Sequence, residues 1–172
     1  MAYLRNTAAA LAMSAIAATA WADAPVVSKV NVEADLSAYK RSNALEYWPT
    51  LADDLGAAIG ALVAFEDGEN PIVNVEIKKV AIDGDTVLPD SGEFNYLEGQ
   101  VVVHQGVDET VEKAVDDRGS EVIQTFTLIV TAMTDPAALP ESTVVIPPSQ
   151  NDFYNALVGA YALKVVERLD LD

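Results

Sequence analysis

Residues 44–65 read ALEYWPTLADDLGAAIGALVAF, and the reading of this stretch decides the fold. Ala44, Trp48, Leu51, Leu55, Ala58, Ile59 and Leu62 recur in steps of three and four, which places them on one helical face. Glu46, Asp53 and Asp54 belong to the opposite, wet face. Ser42 or Asn43 can cap the start. Pro49 lacks an amide hydrogen and crowds the preceding turn. It leaves two forms open: a helix starting at Trp48, favoured by Asp53 and Asp54 near its positive end, or a longer helix that bends. An apolar stripe of this width needs a sheet to lie on.

Strand patterns stand on both sides of it. Before it, Val30, Val32 and Ala34 alternate with Lys29, Asn31 and Glu33 within a strand predicted from Val26 to Ala34. After it, turn formers at residues 66–71 lead to a strand from Ile72 to Ile82. There Val73, Val75 and Ile77 share a face but Val80 and Ile82 are out of phase, so Lys78-Lys79 is expected to be a bulge or a charge-protected edge. Asp83-Gly84-Asp85 reads as a turn, and Pro89 to Glu93 as a second turn-rich loop. A strand from Asn95 to His104 sets Leu97, Gly99, Val101 and Val103 on one face. Gln105 to Glu121 fits either a short acidic helix or the arms of a hairpin turning at Asp117-Arg118-Gly119, and the flanking strands favour the hairpin. Val122 to Met133 is a β-branched strand with Phe126, Leu128, Val130 and Ala132 on one side. A proline-rich connection with a short edge strand at Thr143 to Ile146 leads to Ser149 and Asp152, a capping-box variant. The closing helix, Gln150 to Leu169, carries Tyr154, Val158, Tyr161, Val165 and Leu169 on one face. The order predicts an α+β fold: a mainly antiparallel four- to five-stranded sheet with two helices packed on one face.

The chain opens MAYLRNTAAALAMSAIAATAWADA, with one charge, a short apolar run and a small-x-small site at Ala20-Trp21-Ala22. This is the pattern of a signal peptide over residues 1–22, leaving a single α+β domain over 23–172. Cleavage removes Arg5 and no acid, so a net charge of −17 becomes −18 on the remaining 150 residues. There is no cysteine, which excludes disulfides and a lipid-anchoring thiol. The expected location is the periplasm of a Gram-negative bacterium, or secretion beyond it. The charge argues against nucleic acid as a partner, and the mature chain is expected not to be a membrane protein.

Chemical motifs are sparse. His104 is the only histidine, so no multi-histidine metal site exists, and any serine triad has to use it. Neither Ser91 nor Ser120 sits in a nucleophile-elbow pattern. Gly56 and Gly60 are read as close helix–sheet packing. No catalytic or cofactor-binding residue is assigned. The weak metal candidates are Asp83, Asp85, Asp90 and Glu93, an acidic set around two turns that turn propensity alone accounts for.

The segments DLSAYKRSNALEYWPTLADDLGAAIGALV, VNVEIKKVAIDGD, NYLEGQVVV and FYNALVGAYALKVVERL together resemble a group of uncharacterised small exported bacterial proteins with a strand–helix–three strands–helix layout. The layout is also similar to small accessory domains of the Gram-negative envelope, many of them lipid-anchored through a cysteine that this chain lacks. The resemblance implies layout and export, and no activity. The expected role is a non-enzymatic binding or envelope-accessory domain for a protein or small ligand. The alternatives are a carboxylate-based hydrolase and a purely structural or stress-related envelope component.

Overall fold

The computed structural model describes residues 24–39, 41–106, 121–132 and 150–171. Residues 1–22, the hairpin-or-helix at 107–120, the short strand expected at Thr143 to Ile146 and the Ser149 cap lie outside the described residues.

The first strand run is divided at Ser28. Its amide donates to the Pro71 carbonyl at 2.9 Å and its hydroxyl to the Asn70 carbonyl at 2.8 Å. β1 (Val26–Val27) and β2 (Lys29–Ala34) therefore join different sheets. The apolar stripe of residues 44–65 is retained, but the continuous helix is not. α1 (Ala44–Tyr47) stops before Pro49, and α2 (Leu51–Gly60) starts after it. Trp48 adopts φ −125° and ψ 65°, outside the helical region, because a proline crowds the residue before it. The helix also ends earlier than the pattern suggested. Ala64–Phe65 is a short strand, β3, lying parallel to β1.

The main sheet has the order β2-β4-β5-β6, with β4 at Ile72–Ala81, β5 at Tyr96–His104 and β6 at Val122–Thr131. β4, β5 and β6 form an antiparallel meander, while β2 and β4 are parallel. Parallelism follows from the connection, since a crossover through a helix returns the chain in its original direction. The register of β4 shifts between Ile77 and Lys79, the bulge expected at Lys78-Lys79. It carries Val80 back to the inner face, where it is buried with Val73, Val75 and Ile77.

α2 and α3 (Gln150–Glu167) cover one face of this sheet. α2 packs on β2, α3 on β5 and β6, and the two helices touch each other. Leu51, Leu55 and Ile59 meet Leu97, Val101, Val103 and Leu128 of the sheet and Leu157, Tyr161 and Val165 of α3 in one core. Gly56 faces β2, but a Cβ there would make only ordinary contact, 3.6 Å from Val32, and one at Gly60 would lie 3.5 Å from Phe65, so neither glycine is required for close helix–sheet packing. Among the described residues, no helix is long and apolar enough to cross a membrane.

Gly99 has a sharper reason. Tyr161 is fully buried beneath it, and a Cβ at position 99 would overlap the Tyr161 hydroxyl and come within 2.8 Å of the Glu76 carbonyl. The hydroxyl has no hydrogen-bond partner among the described residues, and burial pushes its pKa up.

Two sets of urea melts check this packing. Leu55→Ala is expected to lose about 2–5 kcal/mol through lost burial and a cavity. Asp53→Ala, at an exposed position, stays within about 0.5 kcal/mol. Gly99→Ala is expected to cost about 1–3 kcal/mol by overpacking. Tyr161→Phe, which removes a buried hydroxyl that is unpaired among the described residues, is expected to be neutral or stabilising and to recover part of the Gly99→Ala loss. A harmless Gly99→Ala would show that Tyr161 lies elsewhere.

Candidate functional site

With helices on one side, the side chains that alternate outward form the other face of the sheet. Parallel register puts Asn31 opposite Asn74, and Glu33 opposite Glu76. Antiparallel register then sets Asn74 opposite Val102, Glu76 opposite Gln100, and Ile72 opposite His104. The result is a row of amides, a row of acids with an amide, and one imidazole at the end of β5. Among the described residues no helix packs on this face.

The face is concave. A depression of about 860 Å³ is lined by Lys29, Asn31, Glu33, Asn74, Glu76, Gln100, Val102 and His104, together with Val30, Val32 and Val75. Asn31 Nδ2 donates to Asn74 Oδ1 at 2.8 Å, which orients both amides. Asn74 Nδ2 and His104 Nδ1 are buried without a hydrogen-bond partner among the described residues. Such atoms are uncommon in folded proteins, because each has lost water without replacement. Glu76 forms an ion pair with Lys78, so Lys29 and Lys78 balance Glu33 and Glu76 around a depression on an otherwise strongly acidic chain.

Beyond the bulge the same face carries a second polar group. Tyr96 Oη donates to Glu98 Oε2 at 2.5 Å, and the Lys79 ammonium lies 5.1 Å from the Tyr96 ring centre. The hydrogen bond to Glu98, then burial, push the Tyr96 hydroxyl up to about 12.

The acidic turn residues are used locally. Asp83 and Gly84, with φ of 48° and 91°, make a two-residue turn closed by Ile82 and Asp85. Asp83 Oδ1 accepts from Asn95 Nδ2 at 2.8 Å, and Asp85 Oδ1 accepts from the Val87 amide at 2.9 Å. Glu93 accepts from Ser91 at 3.1 Å, and Asp90 is exposed. Among the described residues, no three carboxylates or imidazoles are grouped to hold a metal ion.

The ends of the helical layer are tied by aromatic contact. Trp48 stacks on Tyr154 at 4.0 Å between ring centres, and Phe94 meets both edge-on. Trp48 Nε1 donates to the Gly92 carbonyl at 2.7 Å, while the Asn43 side chain pairs with the Leu88 backbone at 2.7 and 3.1 Å. Asp54 is not a purely solvated residue, as its place on the wet face suggested. Tyr154 Oη donates to its Oδ2 at 2.7 Å, and so does Thr50 Oγ1 at 2.8 Å. Burial first, and Asp54 second, raise the Tyr154 pKa.

Two measurements follow. Tyr154→Phe is expected to cost about 1 kcal/mol, the worth of one hydrogen bond, with Trp48 fluorescence showing that the stack persists. Tyr96, Tyr154 and Tyr161 all have raised pKa values in the fold. Their contribution to stability is therefore complete below the unfolded phenol value near 10, and fades as pH rises through the folded values. Urea midpoints should fall from about pH 10 upward, and less steeply in Tyr96→Phe; identical slopes in the two proteins would contradict the Glu98 contact. Compared with models of known protein families and with characterised proteins, the chain matches none.

Proposed function

We propose that the domain is exported to the periplasm, as the residues 1–22 pattern suggests, and is a non-enzymatic binding domain whose ligand sits on the open sheet face. The observation that carries this reading is the depression around Asn31, Asn74, Gln100 and His104, with two buried polar atoms lacking partners among the described residues. Local charges balance there, so an uncharged polar ligand is favoured over a polyanion or a polycation. Paired amides suit such a ligand, since each offers both a donor and an acceptor.

His104 supports binding over nucleophilic catalysis. A serine triad needs an acid on the far imidazole nitrogen, and His104 Nδ1 has no partner among the described residues. The hydrolase reading retains one observation: Glu33 and Glu76 face each other across neighbouring strands in the depression. Against it, Glu76 is paired with Lys78 and Glu33 is exposed, whereas a carboxyl acting as general acid is sheltered from water.

Periplasmic extract passed over immobilised protein tests the proposal. A component held by the wild type and released by Asn31→Ala/His104→Ala, but still held by Glu33→Gln, supports binding through the amide–imidazole end. Equal retention by all three proteins would remove the site from consideration. Turnover of a glycoside or ester that disappears in Glu33→Gln would establish the hydrolase instead.

A further inference from the structure

β6 is the last strand of the described sheet, and its composition invites association. From Val122 to Met133 the sequence has neither a charge nor a proline. Val122, Ile123 and Ile129 are 51%, 45% and 52% exposed. Edge strands are ordinarily blunted by charge, proline or a covering segment. At the opposite edge, β2 carries Lys29 and Glu33 within six residues.

Hydrogen-bond direction identifies the groups that β5 does not use. The Ala132 amide donates to the Asn95 carbonyl, continuing the register in which Val130 faces Leu97 and Leu128 faces Gly99. Even-numbered residues from Gln124 to Ala132 therefore turn their backbone groups to β5. Thr125, Thr127, Ile129 and Thr131 turn theirs away.

One of those outward groups is occupied. Arg168, just past the end of α3, donates from Nη1 to the Thr127 carbonyl at 3.3 Å, with its guanidinium 5.9 Å from the Phe126 ring centre. The Gln124 side chain fixes the same segment, donating to the Arg168 carbonyl at 2.8 Å and accepting from the Asp170 amide at 3.3 Å. We propose that the C-terminal segment from Arg168 is a strap across the β6 edge, keeping that edge from pairing antiparallel with β6 of a second copy. A second copy is the fitting occupant because an uncharged strand is matched by its own two-fold image. On a chain of net charge −17, this is also a contact at which two copies bring no charged strands together.

Sedimentation equilibrium of the purified protein tests the strap. Arg168→Ala is expected to strengthen dimer formation about tenfold, the worth of one hydrogen bond. Adding Thr127→Pro should abolish the gain, since proline at an outward position removes only an amide hydrogen that β5 does not use. Should Arg168→Ala lose helical signal, Arg168→Gln, which keeps the stem over Phe126, carries the same two expectations. A folded variant that dimerises no better than the wild type overturns the proposal. So does association that survives Thr127→Pro, or a wild type already dimeric through β6.

Discussion

Without a cysteine to staple it, the chain depends on burying one face of a four-stranded sheet beneath α2 and α3. Val73, Val75, Ile77, Leu97, Val101, Val103 and Leu128 supply the floor of that layer. Leu51, Leu55, Ile59, Leu157, Tyr161 and Val165 supply its roof. Burying a large aliphatic side chain is worth about 1.5–3 kcal/mol, so the layer as a whole outweighs any single polar contact. Gly99 shows how tightly it closes, because the space of one missing methyl is taken by the Tyr161 hydroxyl.

A layer on one side leaves the other side to different chemistry. The outward residues of β2, β4 and β5 include amides, acids, lysines and an imidazole, interleaved with Ile72, Val102 and Tyr96. Their meeting depends on the β2–β4 parallel pair, which in turn depends on α2 carrying the chain back across the sheet. Pro49 contributes to the same outcome by interrupting the helix at Trp48. That break frees the indole to stack on Tyr154 and to bond the Gly92 carbonyl, joining the first helical segment, the loop before β5 and the last helix.

Much of this layering was legible in the sequence. Alternation in Lys29–Ala34 and Tyr96–His104 identified inner and outer faces correctly, and the phase change after Ile77 located the bulge. The four-residue spacing of Leu51, Leu55 and Ile59 found the buried side of α2. What escaped the pattern was long-range pairing. Asn31, Asn74 and His104 come from three strands, and only register brings them into one depression. Asp54 looked like a solvated acid because its partner, Tyr154, lies 100 residues further on. The end of α2 at Gly60 escaped it too: the apolar stripe runs on to Leu62, and the pairing of Ala64 and Phe65 with Val26 and Val27 is long-range. Asp83, Asp85, Asp90 and Glu93 attracted notice as a group, yet turn geometry accounts for Asp83 and Asp85, and Glu93 bonds a neighbouring serine.

The claim on which function rests is that the sheet has one covered and one open face. Methyl NMR in the presence of a soluble paramagnetic probe measures this directly. If the outer face meets solvent, the methyl signals of Thr125, Thr127 and Ile129 broaden strongly, while those of Leu97, Val101 and Leu128 persist. Equal protection of both sets would mean that the outer face is covered, and would contradict a binding site around Asn74 and His104.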